Sequence, residues 1–358
     1  MSSDAEPTIA AGTSTQNEQG GWRQRYDWVA IFRTSTVFGV VGVVWIVFSQ
    51  LSPYFLTKEN LYNIGIQSSN VAVIAAGLTV VLIAAEIDLS IGAMQALTGS
   101  IAAVIIIKYE GPVWLGIAVP LIVGVLLGCA NGLLTWKLRI PSFIGTLAML
   151  GVATGSALLI TSNAPINGYP DGFLNFWTGR VFGDFPVVII IALAVVMAVH
   201  IIITRTRIGR HIFAVGGNAE AAGLSGINTG RVKLVALALS GLTAAIGGEI
   251  LAARLNAGSG EFGAEDLLPA VAAVVIGGTS LFGGRGSVWG TVAGVLLLTS
   301  ITDGLILIDV QDAWREIVVG LMIVLAMLLD QVLKAEWSFG LGRVSGMRRF
   351  LRRAAGDR

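Results

Sequence analysis

Residues 64–85 read IGIQSSNVAVIAAGLTVVLIAA, an apolar run without a single Asp, Glu, Lys or Arg. A helix needs about 20 such residues to cross the hydrocarbon core of a bilayer. Lipid offers the backbone no hydrogen-bond partners, so only helices and closed barrels span it, and an unbroken apolar run lacks the alternation of a barrel strand. The stretch therefore predicts a transmembrane helix.

Similar runs recur along most of the 358 residues and predict about ten transmembrane helices. We place them at 37–56, 64–85, 90–107, 113–135, 142–162, 186–204, 232–252, 267–280, 287–302 and 313–332. Composition agrees, since 54% of the residues are hydrophobic and 13% are charged, against about 25% charged in soluble domains. The sequence predicts an all-α polytopic membrane protein and excludes a cytosolic enzyme.

The distribution of Lys and Arg predicts which ends of the helices face the cytoplasm. With both termini cytoplasmic, 18 of the 23 Lys and Arg residues fall in inside segments, which is the bias of cytoplasmic loops. Residues 1–35 then form a cytoplasmic, mostly disordered tail, residues 36–333 the transmembrane domain, and residues 334–358 a basic cytoplasmic tail. The basic tail follows the last predicted span, a position that favours contact with anionic membrane lipid over nucleic acid.

Residues that carry covalent chemistry are scarce in this chain. One cysteine, Cys129, excludes a disulfide framework, and His200 and His211 are too few for a His/Cys metal centre. No lysine follows a glycine, so the nucleotide-binding loop of P-loop ATPases is absent. We therefore expect no enzyme activity, no metal and no cofactor, and any use of ATP would require a separate subunit.

Polar groups inside the apolar runs are candidates for a translocation pathway, because such groups are costly in lipid and tend to line substrate routes. The break after the second span carries Glu86, Asp88 and Ser90. It is either a cytoplasmic turn, with Asp88 or Ser90 capping the third span, or an interruption deeper in the membrane. The other candidates are Gln67 and Asn70 in the second span, Asn131 in the fourth, and Gly278, Thr279 and Ser280 in the second half. For the Asn131 amide, hydrogen bonding between helices is the alternative role.

The segment 204–231 is the longest and most basic inside loop, and it carries signals of ordered structure. Gly216–Gly217 predicts a turn, and Asn218 is a favourable N-cap for a short helix over residues 219–224. Glu220 lies in the first turn of that helix, where the helix dipole favours an anion. A short helix at a membrane surface is either a docking element for a partner or a plain surface helix.

Four segments carry a family resemblance. They are EIDLSIG at 86–92, IPSFI at 140–144, RTRIGRHIFAVGGNAEAAGLSGIN at 205–228 and AAVVIGGTSLFGG at 272–284. In these segments the chain resembles the membrane permeases of monosaccharide ABC importers of the ribose and xylose type. The resemblance extends over most of residues 55–333.

This resemblance implies a permease that forms a homodimer, docks ABC ATPase subunits through the loop helix, and receives sugar from an extracytoplasmic binding protein. The residues implied in coupling to the ATPase are Gly217, Asn218, Glu220, Ala221, Ala222 and Leu224. Two positions depart from the family pattern. Gly223 stands where a larger, often basic residue is usual, and Asp303 stands where Asn is common.

Residues and resemblance together predict the permease subunit of an ATP-binding-cassette importer in the plasma membrane of a prokaryotic cell. Its cargo would be a monosaccharide, a pentose or hexose of the xylose or ribose type, moved by a separate ATPase. An ABC permease for nucleosides or branched-chain amino acids is one alternative. An ion-coupled secondary transporter is another, and it would need intramembrane acidic residues, of which Asp88 is the main candidate.

Overall fold

The computed structural model describes residues 18–328 except 312, 316, 323, 326, 327 and, for 18–34, the side chains. Its helices are α1 (Glu18–Leu51), α2 (Lys58–Ile83), α3 (Ile91–Ala103, continued by the π-helical turn Val104–Lys108), α4 (Val113–Trp136), α5 (Ser142–Ile160), α6 (Asp171–Thr178), α7 (Val187–Arg205), α8 (Arg207–Gly217), α9 (Ala219–Leu224), α10 (Thr229–Leu255), α11 (Leu267–Ile276) and α12 (Val288–Leu307). Short antiparallel strand pairs join Ile166–Asn167 to Ala257–Gly258 and Arg180–Val181 to Phe185–Pro186. The predicted basic tail at 334–358 lies outside the described residues.

Seven helices of the described part are long and apolar enough to cross a bilayer. They are α2, α3 with its π-helical turn, α4, α5, α7, α10 and α12. The other predicted spans correspond to the shorter apolar segment Ser35–Leu51 of α1, to the ten-residue α11, and to helical stretches described between 313 and 328. The all-α membrane fold is confirmed, whereas the count of ten spans stays a prediction.

Helix α1 begins earlier than predicted. It starts at Glu18, so residues 18–35 are helical where the sequence analysis expects a mostly disordered tail. No proline interrupts residues 18–51, and extending an existing helix is far easier than starting one. The apolar part of α1 therefore continues as a helix into the polar segment before it, and residues 1–17 lie outside the described part.

Helix α10 lies at the centre of the fold, packed against α4, α2 and α3. Its contact with α4 depends on glycine. A Cβ added to Gly124 would meet the carbonyl oxygen of Gly241 at 2.5 Å, and one added to Gly128 would overlap the carbonyl oxygen of Leu237. Small residues allow membrane helices to approach this closely. The backbones of α4 and α10 are thus in direct contact.

Residues 84–90 join α2 to α3 as an extended segment. Glu86, Asp88 and Ser90 are buried while the intervening Ile87 is exposed, the alternation expected of extended chain. Helix α3 therefore starts on the inside of the fold and not at its surface.

Residues 256–266 join α10 to α11 through the short strand Ala257–Gly258, a turn and the 3₁₀-helix Ala264–Asp266. Gly258 packs against Gly99 of α3, and Gly263, with φ +84°, packs against Gly92 in the first turn of α3. The segment follows α3 back to its beginning, and α11 starts there. Two helices of opposite direction, α3 and α11, thus begin close together inside the fold.

Candidate functional site

The predicted loop helix is present as α9. The Oδ1 of Asn218 accepts a hydrogen bond from the Ala221 amide at 2.9 Å, which satisfies one of the free amides at the helix start. Glu220 and Leu224 are exposed, Leu224 by 87%, while Ala222 is buried against the fold. An exposed leucine beside an exposed carboxylate on an ordered helix is suited to contact with another protein.

The same loop holds a second helix, α8, that the sequence analysis did not predict. Thr206 caps it by accepting a 3.2 Å hydrogen bond from the Gly209 amide, and the helix continues to its last residue, Gly217. The predicted turn at Gly216–Gly217 is therefore wrong, because close packing of the glycines supports the helix there. The sequence signal was the helical spacing of the residues now found buried, which are Gly209, Ile212, Val215 and Gly216.

The end of α8 contacts two other elements of the fold. Gly216 packs against the carbonyl oxygen of Ile83, the last residue of α2, and that oxygen accepts a 2.9 Å hydrogen bond from the Gly284 amide. Gly283 packs against Ala85. We term this contact of residues 83–85, 216–217 and 283–284 the loop junction. Through it the exposed helix α9 is connected to the start of the extended segment 84–90.

Asp88, Ser90 and Asn131 come together in one buried network with Ser240 of α10. One oxygen of Asp88 accepts from the amide of Ser90 at 3.0 Å and from its hydroxyl at 2.6 Å, and the other accepts from the Ser240 hydroxyl at 2.7 Å. The Asn131 amide donates to the Ser90 hydroxyl at 3.0 Å. All four residues are fully buried.

The position of Ser240 shows how deep this network lies. Ser240 is eleven residues beyond Thr229 at the start of α10, about 16 Å along the helix axis. The contacts therefore favour an interruption inside the membrane over a turn at its surface. Asp88 accepts both hydrogen bonds of Ser90, the residue directly before α3, although neither side chain caps the helix itself.

Glu86 and the backbone of the extended segment are also held by neighbours. The Glu86 carboxylate is buried and pairs with the Lys233 ammonium of α10 at 2.5 Å. The amides of Ile87 and Leu89 donate to hydroxyls of α5, at 3.0 Å and 3.1 Å. Buried backbone donors need partners, and the hydroxyls of α5 take the place of the carbonyl acceptors that a helix would supply here.

Gly278, Thr279 and Ser280 lie elsewhere, at the end of α11 beside the loop junction. Gly278 has φ +89°, and the amide of Ser280 donates to the Arg285 carbonyl at 2.9 Å. This break ends α11, and the Asp88 network precedes α3, so the two predicted interruptions do not form one site. Gln67 is half-buried on α2, and no hydrogen bond is described between it and the other candidates.

A second buried polar group lies between the starts of α3 and α11. The Asn70 amide donates to the Asp266 carboxylate at 2.7 Å, and Gly247 of α10 faces both Asn70 and Gln95. The sequence analysis missed Gln95 and Asp266 as site residues. The sequence does carry a signal for Gln95, because its polar amide stands among small and apolar residues at the start of a helix. It carries none for Asp266, which the sequence analysis assigns to an outside loop.

These features define a polytopic membrane permease, with interrupted helices inside the membrane and an ordered surface helix on one side. The chain belongs to the family described as "Branched-chain amino acid transport system / permease component", whose model matches residues 60–327.

Curated relatives agree with this assignment. The chain is 39% identical to the ribose import permease of Haemophilus influenzae over 289 residues, covering 80% of this chain and 89% of that protein. It is 39% identical to the ribose import permease of Escherichia coli K12 over 286 residues, covering 79% and 88%. It is 34% identical to the xylose transport system permease of the same strain over 340 residues, covering 78% and 86%. No solved structure matches the chain.

The comparisons confirm the resemblance found in the sequence. The protein is a multi-pass transport permease of the inner membrane and not an enzyme. The roles of the individual coupling and pathway residues stay predictions.

Proposed function

We propose that the protein is the transmembrane subunit of an importer that moves a monosaccharide into the cell with energy from a separate ABC ATPase. The observation that carries the proposal is the connection of α9, with exposed Glu220 and Leu224, to the interrupted helices through the loop junction. A plain surface helix would need no such connection. The names of the ribose and xylose relatives support the sugar.

The loop 204–231 lies on the cytoplasmic side in this proposal, with both chain termini. An ATPase subunit grips α9, where Gly217, Asn218, Glu220, Ala221 and Leu224 are exposed. Movement of α9 reaches Ile83 through Gly216, because backbone there touches backbone, and it reaches Ala85 through Gly283, which contacts both Gly216 and Ala85. The displacement then passes along residues 84–90 to the Asp88 network and the start of α3.

The remaining partners follow from the same class of transporter. An extracytoplasmic sugar-binding protein delivers the cargo on the side opposite the loop, and a second copy of the permease completes the transporter as a homodimer. Surrounding lipid contacts the apolar side chains exposed along α4 and α7, among them Ile122, Leu126, Ile190 and Leu193. The ATPase supplies the energy that moves the cargo.

Reversal of one charge on α9 tests the docking assignment. We expect Glu220→Arg to insert into the membrane normally and to abolish ATP-driven uptake of D-ribose and D-xylose in proteoliposomes that also contain the ATPase and the binding protein. Glu110→Arg is the matched control, because Glu110 is also an exposed glutamate and lies outside the loop. Normal uptake by Glu220→Arg would reject the assignment of α9.

Cargo and energy source are tested with the wild-type protein. Uptake of leucine or a nucleoside in place of both pentoses would identify one of the alternative ABC permeases. Uphill uptake by the permease alone, without ATPase or ATP, would identify an ion-coupled transporter.

A further inference from the structure

Three exposed cations lie where α4 ends and α10 begins. Lys137 and Arg139 follow the last residue of α4, and Arg231 lies in the first turn of α10. All three side chains are exposed, and none forms an ion pair with a residue that the structure describes. The surrounding sequence, residues 111–170 and 221–248, contains no Asp or Glu. We term Lys137, Arg139 and Arg231 the basic cluster.

Trp136, the last residue of α4, joins the two segments of the basic cluster. A Cβ added to Gly230 would overlap the indole of Trp136, so the ring packs against the main chain of α10 directly beside Arg231. The Lys137 ammonium lies 4.5 Å from the centroid of the same ring, a cation–π contact. One aromatic side chain therefore contacts both the segment that carries Lys137 and the segment that carries Arg231.

The residues after α4 form an ordered turn. The amides of Leu138 and Ile140 donate to the carbonyls of Leu133 and Leu134 in the last turn of the helix, at 3.4 Å and 3.1 Å. Between them Arg139 has φ +56°, which reverses the direction of the chain. These bonds keep the first two cations of the basic cluster against the end of α4.

The basic cluster lies at the membrane surface. Helix α4 has 24 residues and is about 36 Å long, which exceeds the hydrocarbon core of about 30 Å, so its end reaches the headgroup region. Tryptophan is enriched at this depth, where its ring is apolar and its N–H polar. Leu133 and Leu138, 44% and 64% exposed, are neighbours of Trp136 in the chain. The same place thus offers cations for a headgroup and apolar side chains for an acyl chain.

Membrane topology alone does not explain the basic cluster. The bias of Lys and Arg toward cytoplasmic loops requires only that they lie on the correct side. It does not require two loops to place unpaired cations around one indole with no carboxylate beside them. Lys233, two residues after Arg231, shows the contrast, because its ammonium pairs with the buried Glu86. Basic pockets between membrane helices on the cytoplasmic side bind phosphate-bearing lipid headgroups.

We propose that Lys137, Arg139 and Arg231, together with Trp136, form a binding site for the headgroup of an anionic phospholipid. The lipid belongs to the leaflet on the side of the loop 204–231. Its phosphate contacts the three cations, and its acyl chains lie along the exposed leucines at the end of α4. Because the site joins the end of α4 to the start of α10, a bound lipid stabilises the contact between these two helices. The inference does not depend on the cargo or on the ATPase.

The test measures lipid binding to the full chain without transport. Native mass spectrometry and thermal unfolding are carried out in detergent micelles that contain phosphatidylglycerol or, separately, phosphatidylcholine with the same acyl chains. We expect phosphatidylglycerol to bind more tightly and to raise the melting temperature more. Lys137→Gln should weaken its binding about fivefold, the effect of one cation near an anionic lipid surface. Arg139→Gln and Arg231→Gln should have effects of similar size.

Lys108→Gln is the matched control. Lys108 is also an exposed lysine at the end of a membrane helix with an exposed aromatic residue, Tyr109, beside it, but Glu110 follows the pair. We expect this variant to bind phosphatidylglycerol as the wild type does. A second arm adds inorganic phosphate without lipid, and we expect no change in melting temperature, because free phosphate has no acyl chains to contact the leucines.

Each of the other outcomes overturns the proposal. Equal binding of the two lipids by the wild type, or equal weakening in Lys137→Gln and Lys108→Gln, would mean that the basic cluster recognises no particular headgroup. Stabilisation by inorganic phosphate alone would assign the cluster to a soluble phosphate compound. Normal lipid binding in the three cluster variants, with weaker binding of the ATPase, would assign it to that subunit. A failure of sugar uptake concerns the proposed function only.

Discussion

The amide of Gly284 donates a 2.9 Å hydrogen bond to the carbonyl oxygen of Ile83, and Gly216 packs against that same oxygen. The last carbonyls of a helix lack partners within it, so the bond from Gly284 satisfies a free acceptor at the end of α2. Only glycine at residue 216 leaves room for three backbones at this point. The loop junction therefore combines a helix cap with a mechanical connection.

Gly216→Ala is expected to weaken transport by separating α8 from α2. The added Cβ overlaps the Ile83 carbonyl, and overpacking of this kind costs about 1–3 kcal/mol. ATP-driven uptake should fall by about 5- to 150-fold if that amount is lost from the coupled state. Gly155→Ala in α5 is the control, because no atom lies within 4 Å of its added Cβ. Wild-type uptake and melting temperature for Gly216→Ala would show that the contact is not needed.

Asn218→Ala is expected to destabilise α9 selectively. The variant loses the 2.9 Å hydrogen bond to the Ala221 amide, and loss of such a cap costs about 1 kcal/mol. Hydrogen exchange of residues 219–224 should accelerate several-fold, with α10 unaffected. Asn218→Asp keeps a capping oxygen and should restore slow exchange. Equal exchange in Asn218→Ala and wild type would contradict the cap.

Asp88→Ala is expected to destabilise the interior, because the hydroxyls of Ser90 and Ser240 lose their acceptor. The cost is about 1–3 kcal/mol for buried donors left unpaired, and Ser240→Ala should cost about 1 kcal/mol. The double variant should be less destabilised than the sum of the two single variants, since one hydrogen bond is counted twice. Unfolding in mixed micelles measures all three, and strict additivity would disprove the contact.

The exposed pair of Lys58 and Asp184 predicts a specific pH dependence. The Lys58 ammonium donates a 2.8 Å hydrogen bond to the Asp184 carboxylate, and this bond holds the pKa of the Asp184 carboxyl below its usual range. A lowered carboxyl pKa stabilises the fold above the unfolded value of about 4, and this contribution is lost as the pH falls through the folded value. Any difference in melting temperature between wild type and Lys58→Met should therefore be constant from about pH 5 to 8 and shrink near pH 3.

The control for that pair is Lys108→Met, another exposed lysine. Its difference from wild type should not change between neutral and acidic pH. A difference for Lys58→Met that grows on acidification would contradict the assigned pairing. Both effects should be small, because exposed ion pairs contribute little.

Features with short-range causes were predictable from the sequence. The membrane helices follow from runs of apolar residues, and α9 with its Asn218 cap follows from local helix signals. Helix α8 was missed because Gly216 and Gly217 suggest a turn when nothing is known of their neighbours. Their packing against α2 and the 283–284 segment, far away in the chain, decides the conformation there.

The grouping of the polar residues was not predictable in the same way. Asp88, Ser90 and Asn131 were each recognised as polar groups in apolar surroundings, but only the fold brings them to Ser240. Asp266 read as a solvent-exposed loop residue, because no sequence pattern shows that residues 256–266 turn back along α3. Hydrophobic periodicity describes one helix at a time, whereas these hydrogen bonds join residues of different helices.

The glycine contact between α4 and α10 has a consequence for motion. With Gly128 seated directly on the Leu237 carbonyl and Gly124 close to that of Gly241, sliding either helix by one residue would bring a side chain into the space of a main chain. The contact therefore holds α4 and α10 together as one rigid unit. A change of conformation that keeps this contact leaves α4 and α10 in place relative to each other, so it has to occur in the elements packed around them.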